Sequence, residues 1–583
     1  MDNQRIANVF QEIGDILEIQ DANRFRILAY QKAAQTIANL GEELSDIYMR
    51  DPKELEKVPG IGKDLAAKIV ELIEKGKCTY HEELIKKFDR GILDMLRVRG
   101  VGPKKVKLFY SELRINSISA LRDAAEKGLL RDLPRMGEKS EKEILEAIDE
   151  FEKHSERMAY SDALHEALAL IAYMKKCRDV KRIEYAGSLR RKRDTIGDLD
   201  ILVVSVRPEK VMNHFVKYEN VSKVIARGDT KTSLLLDMGA QVDLRVIKEK
   251  SFGAAWHYFT GSKEHNVAIR DMAKKKGLKV NEYGVFRVAR GGGRGREKYL
   301  AGKTEEEVYK SVGLPYIEPE LRENRGELEA AKKRKLPDLI ELKDLRGDLH
   351  THSSWSDGSE EIEDVARAYI KAGFEYIALT DHSPAVRVAH GLTPERFAMQ
   401  WDEIDELNAE FARKGIKFRI LKGTECDIMP DGTMDLPDRV LKKMDIVVAA
   451  VHSKFNLSER EQTARVIKAF KNPYVKIWGH PSSRLINQRE PYAVDMGKAI
   501  SAAVKNHVAL EINSQPDRLD LFDYYCRLAK EKGAKFTVDS DSHHHSQIAF
   551  LEYGVGVARR GWLEADDVLN TRSLAKVLDY WKK

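Results

Sequence analysis

Residues 187–204 read Gly187-Ser188-Leu189-Arg190-Arg191-Lys192-Arg193-Asp194-Thr195-Ile196-Gly197-Asp198-Leu199-Asp200-Ile201-Leu202-Val203-Val204. The run from Asp198 predicts a strand, and because side chains alternate across a strand, Asp198 and Asp200 project from one face. Two carboxylates that close repel unless a cation lies between them. Magnesium fits best, since it takes oxygen ligands and bridges one or two carboxylates to substrate phosphates. A third carboxylate, Asp243, sits in Gln241-Val242-Asp243-Leu244-Arg245-Val246, an apolar strand expected beside the first. Upstream, Gly187 lets backbone N–H groups approach a phosphate and the Ser188 hydroxyl adds a donor. Arg190 and Arg191 follow at once.

An isolated Asp-x-Asp is more simply a solvated strand end. Gly-Ser upstream, an apolar run downstream and a distant third Asp together resemble a nucleotidyltransferase palm.

At 583 residues the chain is long enough for several domains. With 42% hydrophobic and 33% charged residues it has material for more than one core, so disorder is not expected. The formal charge of +6 is slight, yet basic residues cluster locally, which points to anionic partners. Four scattered cysteines form no CxxC and no disulfide framework, consistent with a reducing cytoplasm. The N-terminus lacks a signal-peptide layout and no apolar run reaches membrane-spanning length, so no membrane association is expected. Six of the 16 histidines precede residue 350 and ten follow from there, so a chemically different domain begins near that point.

Residues 1–150 read as short amphipathic helices. Val58-Pro59-Gly60-Ile61-Gly62-Lys63 recurs as Val98-Arg99-Gly100-Val101-Gly102-Pro103-Lys104, an apolar frame around Gly-x-Gly opening a helix. A helix N-terminus presents unsatisfied N–H groups to an anion, and Lys63 and Lys104 add charge. One Gly-x-Gly is usually just a turn. Two in the same frame resemble the helix-hairpin-helix motif, which grips DNA phosphates without reading bases.

After the palm strands comes Trp256-His257-Tyr258-Phe259-Thr260-Gly261-Ser262-Lys263-Glu264-His265-Asn266, then Arg270 and Asn281-Glu282-Tyr283. This resembles the thumb of family X DNA polymerases, and the order of segments to about residue 318 is similar to theirs. The resemblance implies that Ser188 and Arg191 hold the triphosphate, with Gly187 and Gly261 also in the nucleotide site, and that Asp198, Asp200 and Asp243 hold two magnesium ions. It also implies that Tyr258 and Phe259 pack under the sugar, while Asn266 and Arg270 touch the minor-groove side of the nascent pair. Gly60, Gly62, Lys63, Gly100, Gly102 and Lys104 would contact DNA. Lys68 sits where lyase members carry a Schiff-base lysine, with phosphate binding as its other reading.

Residues 319–345, centred on Lys332-Lys333-Arg334-Lys335, read as a charged linker, either solvated or touching DNA. Then Asp348-Leu349-His350-Thr351-His352 opens a region where candidate ligands end one strand-like run after another. His350, His352, Asp357, His382, Glu425, His452, His480, Asp541 and His543 form this set, with Asp539 and His544 as competitors at its end. Strands alternating with helices, with such residues at the C-terminal strand ends, predict a β/α barrel with its site on one face. The set resembles the polymerase and histidinol phosphatase (PHP) domain, a distorted (β/α)7 barrel holding up to three metal ions. Mixed His and carboxylate ligands suit manganese or zinc.

The resulting expectation is a multidomain chain. A helical domain occupies residues 1–90 and a second helix-hairpin-helix domain 91–150; an α+β nucleotidyltransferase palm spans 151–250, a thumb 251–318, the linker 319–345 and a PHP barrel 346–583. Taken together the resemblances imply a monomeric DNA-directed DNA polymerase that uses dNTPs on gapped or primed DNA in repair. The second site would supply 3′–5′ exonuclease and abasic-site cleavage. A DNA-binding phosphoesterase with an inactive palm and a small-metabolite phosphatase are the alternatives.

Overall fold

The computed structural model describes residues 3–20, 22–38, 44–75, 77–85, 90–98, 100–134, 136–155, 157–288 and 297–582. The chain divides into two compact units, Met1–Glu156 with Asp357–Glu361, and Arg157–Ser356 with Ile362–Lys583.

The first unit is helical and holds two apolar clusters. One gathers Phe10, Ile13, Ile61, Leu65 and Ile69; the other gathers Val101, Val106, Phe109 and Leu121. Each Gly-x-Gly therefore has its central residue, Ile61 or Val101, in a separate core. The two turns close alike: Ile61 N–H donates to Val58 O at 3.0 Å and Val101 N–H to Val98 O at 2.9 Å. Helix α1 (Lys63–Lys75) follows the first and helix α2 (Pro103–Leu113) the second.

The second unit contains a five-stranded sheet of β1 (Arg182–Tyr185), β2 (Asp198–Val204), β3 (Val221–Arg227), β4 (Lys231–Leu236) and β5 (Gln241–Ile247), in the order β1-β2-β5-β4-β3. β2 and β5 run parallel, with Asp200 opposite Asp243. Their inward side chains, Leu199, Ile201, Val203, Val242, Leu244 and Val246, are buried, which leaves the acids on the other face at the strand starts. Helices α3 (Phe252–Thr260) and α4 (Lys263–Lys275) follow, with a small antiparallel sheet after them.

The remaining strands, β6 (Gly347–Thr351), β7 (Tyr376–Leu379), β8 (Arg419–Asp427), β9 (Ile446–Ala450), β10 (Ile477–Trp478), β11 (Ala509–Asn513) and β12 (Phe536–Asp539), form one parallel sheet in sequential order. A bridge between Thr351 and Ser542 brings its edges together as a nearly closed seven-stranded barrel. Strands buried on both faces read as continuous apolar runs, as Ile446-Val447-Val448-Ala449-Ala450 does.

The stretch expected as a linker is built differently. Leu321, Leu328, Ala331 and Leu339 join the core around Ile269 and Val308, and Arg322 and Glu327 are fully buried. The charges here are paired rather than solvated: Arg322 Nη1 donates to Glu305 Oε1 at 2.6 Å, and Glu327 accepts backbone N–H groups of Asn324 and Arg325. The basic run at 332–335 is exposed as expected. No described helix is long and apolar enough to cross a membrane.

Candidate active sites

Asp198 and Asp200 line a cavity of about 590 Å³ together with Gly187, Ser188, Arg191, Tyr258, Gly261, Asn266 and Arg270, among others. Gly187 has φ +65°, and a Cβ on it would meet Asp200 Oδ2 at 2.9 Å, so glycine is required where the Gly-Ser turn passes the acids. Burial, with the neighbouring charges of Asp198 and Asp243, pushes the Asp200 carboxyl up to about 7. Asp243 behaves oppositely. Burial alone would raise it, but hydrogen bonds from Lys231 (2.7 Å), Ser233 (2.6 Å) and Gln241 (3.1 Å) hold it below the usual carboxylate range. Three acids on one face, one of them raised to about 7 chiefly by burial, form a donor set suited to an oxygen-coordinated cation.

On the other wall, Tyr258 and Phe259 meet edge to face with centroids 5.2 Å apart, and the Arg245 guanidinium lies 4.4 Å from the Phe259 ring centre. Asn266 Nδ2 donates to Tyr258 O at 2.7 Å, while its Oδ1 is buried without a hydrogen-bond partner. Arg191 Nε donates to Glu323 Oε1 at 3.0 Å and Nη1 to Thr260 O.

In the barrel, Glu425 at the end of β8 is the hub. Its carboxylate oxygens lie 2.7 Å from His480 Nε2, 3.0 Å from His452 Nε2, 3.1 Å from His382 Nδ1, 3.4 Å from His350 Nε2 and 3.6 Å from His352 Nε2. Asp541 Oδ1 lies 3.2 Å from His352 Nε2 and 3.6 Å from His350 Nε2, and the His543 ring stacks on His352 at 4.2 Å. Asp357, on the exposed loop after β6, belongs to this set: its carboxylate and the ring nitrogens of His352, His382 and His543 all lie within 4.8 Å of one another. All nine expected residues thus converge at the C-terminal end of the barrel. His350 Nε2 is buried without a hydrogen-bond partner and faces two carboxylates, as a ligand to a cation would. His480 and Asp541 both adopt positive φ, a strain that non-glycine residues carry where a site demands it. The competitors at the end of the set lie elsewhere: Asp539 Oδ1 accepts Leu349 N–H at 2.8 Å, and His544 turns toward Ser546 on an exposed turn.

In the first unit, Gly60 and Gly100 have φ +80° and +78°, and nothing lies within 4 Å of a Cβ added at Gly62, Gly100 or Gly102. The helix starts are therefore open to an approaching backbone. Lys63 is exposed, and Lys104 Nζ reaches to 4.0 Å from Glu18. Lys68 Nζ bonds Asp64 Oδ1 at 2.7 Å and lies 5.4 Å from the Tyr80 ring centre. A nucleophilic role would require that ion pair to open.

Family models match helix-hairpin-helix domains at residues 1–78 and 92–150, the DNA polymerase beta thumb at 255–323 and the PHP domain at 348–515. Along its whole length the chain is 38% identical to the DNA polymerase/3′-5′ exonuclease PolX of Bacillus subtilis (strain 168), covering all of that protein. The chain belongs to the family X DNA polymerases with a C-terminal PHP domain. Over 247 residues, 40% of the chain, it is also 32% identical to a probable phosphatase of Thermoanaerobacter sp. (strain X514), covering 94% of that protein. A further probable phosphatase, of Syntrophotalea carbinolica, is 28% identical over 244 residues and covered to 94%.

Several residues that shape these family X sites escape motif reading. Arg190 donates from Nη1 and Nη2 to the two oxygens of Glu305, at 2.9 and 2.6 Å, and stacks 3.4 Å over Trp256, so the Gly-Ser turn is bolted to the segment after α4. Burial opposes ionisation of Glu305, yet Arg322 and Arg190 hold its carboxyl down to about 2. In the PHP barrel, Glu511 accepts from His350 Nδ1 and His480 N–H, Asp427 pairs with His452 Nδ1 at 3.1 Å, and Asn513 donates to Asp541 at 2.9 Å. These partners orient the imidazoles. Their one sequence signal is a charged residue inside an apolar strand, as in Leu510-Glu511-Ile512.

Proposed function

We propose that this family X enzyme fills short gaps during DNA repair and trims or cleans 3′ ends, including cleavage at abasic sites, in its second active site. The observation that carries the reading is the pairing of Asp200 with Asp243 across β2 and β5, with Asp200 lining a cavity that Ser188 and Arg191 also line. Asp198, Asp200 and Asp243 would hold two magnesium ions, which neutralise charge on the reacting oxygens of an in-line displacement. Ser188 and Arg191 bind the triphosphate of the incoming dNTP. Tyr258 and Phe259 support its sugar, and Asn266 and Arg270 sense the nascent pair. In the barrel the His and carboxylate set, with Asp357, would hold up to three manganese or zinc ions, which activate water toward a phosphate ester. The two hairpins grip the DNA backbone on either side of the gap.

Gapped DNA carrying a 5′-phosphate is expected to be extended faster than an open template-primer. The preference should be strongest at low salt, because each phosphate contact releases counterions. Titrating salt on both substrates tests this; equal rates at moderate salt would remove the case for two gripping hairpins. The likeness to probable phosphatases supports a small phosphate monoester as a second substrate class, and comparing histidinol phosphate with a 3′-recessed duplex decides between them.

A pH dependence follows from Asp200. With its carboxyl at about 7, a cation entering the site at lower pH must displace a proton. The magnesium concentration for half-maximal synthesis is therefore expected to rise about tenfold per unit below pH 7 and to level off above it. A requirement that stays constant from pH 6 to 8 counts against Asp200 as a ligand.

A further inference from the structure

The loop that follows the Gly-Ser turn rests on the barrel. Arg560, the last residue of helix α5 (Leu551–Arg560), is 5% exposed and makes three bonds there. Its Nη1 donates to Arg191 O at 2.7 Å and to Glu323 Oε1 at 3.0 Å, and its Nη2 donates to Asp523 Oδ2 at 2.7 Å. Glu323 Oε1 is the same atom that accepts from Arg191 Nε. The barrel arginine thus holds both the backbone of Arg191 and the carboxylate that fixes its guanidinium. Two further contacts dock the same loop. Arg484 Nη1 donates to Asp194 Oδ2 at 2.8 Å, and the Lys192 stem lies over Gly556 of α5, where an added Cβ would come within 3.0 Å of Lys192 Cδ.

We propose that Arg560 is a positioning residue for the nucleotide site, so that the PHP barrel forms part of the dNTP-binding apparatus of the palm. The proposal rests on the reading of Arg191 as a triphosphate ligand. Arg191 is a long side chain with many rotamers, and its charge binds the triphosphate only if the guanidinium points into the cavity. Glu323 and Thr260 O anchor two of its nitrogens, Nε and Nη1. Arg560 shares Glu323, which keeps that carboxylate from pivoting to take both edges of the Arg191 fork. Without Arg560, Glu323 is free to pair bidentately with Arg191, and the arginine loses its aim.

The test uses the full-length protein and single-nucleotide incorporation on a one-nucleotide gap, with 3′ hydrolysis and thermal melting measured in parallel. Arg191→Gln sets the scale and is expected to raise the KM for dNTP by at least about thirtyfold, the loss of a charge-assisted phosphate contact. Arg560→Met is expected to raise that KM about tenfold with kcat little changed, while the KM for DNA and the rate of 3′ hydrolysis stay at wild type. Arg560→Lys, which keeps the charge but cannot reach all three acceptors, should recover part of the loss. Combining Arg191→Gln with Arg560→Met should be no worse than Arg191→Gln alone, because Arg560 acts through Arg191. A wild-type KM in Arg560→Met, additive losses in the double variant, or a fall of both activities in step with the melting temperature would overturn the proposal. If Arg191→Gln itself leaves the KM unchanged, the reading of Arg191 fails instead, and the two failures are told apart.

Discussion

Replacing Asp198 and Asp200 together with alanine is expected to lower nucleotide incorporation by more than about 10³-fold, or ~4 kcal/mol of transition-state stabilisation, with 3′ hydrolysis intact. Both side chains stand on the same face of β2, and Asp200 sits opposite Asp243, so the change removes two of the three carboxylates proposed to hold magnesium. Nothing in the apolar face of β2 is touched, since Leu199 and Ile201 are the buried partners there. Removing the Asp200 carboxylate also takes away a group held near neutrality by burial, so the variant should melt no lower than wild type. Primer extension and 3′-end hydrolysis on one labelled duplex measure both activities at once. If hydrolysis disappears with synthesis, the 3′ cleavage belongs to the palm and the barrel is not an independent phosphoesterase.

The second large effect is the converse. Glu425→Gln keeps the shape of the side chain but removes the charge that five histidines face, and it is expected to reduce 3′ hydrolysis by about 10³-fold while gap filling continues. Its carboxylate is held well below the usual range: burial opposes ionisation, but His452, His382 and His350 outweigh it. An amide in that position offers neither the charge nor the second acceptor oxygen, so bound metal should fall as well. Metal content after dialysis gives a readout independent of turnover. His350→Ala with His352→Ala tests the same cluster from the imidazole side, and wild-type hydrolysis in either variant would show that the cluster is structural.

The two effects are separable because no residue is shared between the sites, yet the sites are not mechanically isolated. Arg560, Arg484 and Arg559 of the barrel each bond a residue of the palm or of the segment behind it: Glu323, Asp194 and Glu320. Removing the barrel whole would therefore confound a nuclease defect with a loss of dNTP affinity. Point changes at Glu425 avoid this.

What the sequence determined by itself were the features with local causes. Period-two alternation placed Asp198 and Asp200 on one face, and apolar runs ending in His or carboxylate marked the barrel strands and their functional ends. The repeated Gly-x-Gly frame marked two turns whose glycines at 60 and 100 do adopt positive φ. What tertiary structure alone decided were the partners that meet across long separations. Asp200 is pushed up to about 7 while Asp243 is held low, although both are strand acids on one face, because Lys231 and Ser233 bond to Asp243. The segment read as a linker is a packed part of the molecule because Arg322, Glu327 and Glu320 find Glu305, His265 and Arg559. Composition counts charges but cannot pair them, and pairing decides whether a charged stretch lies in water or in a core.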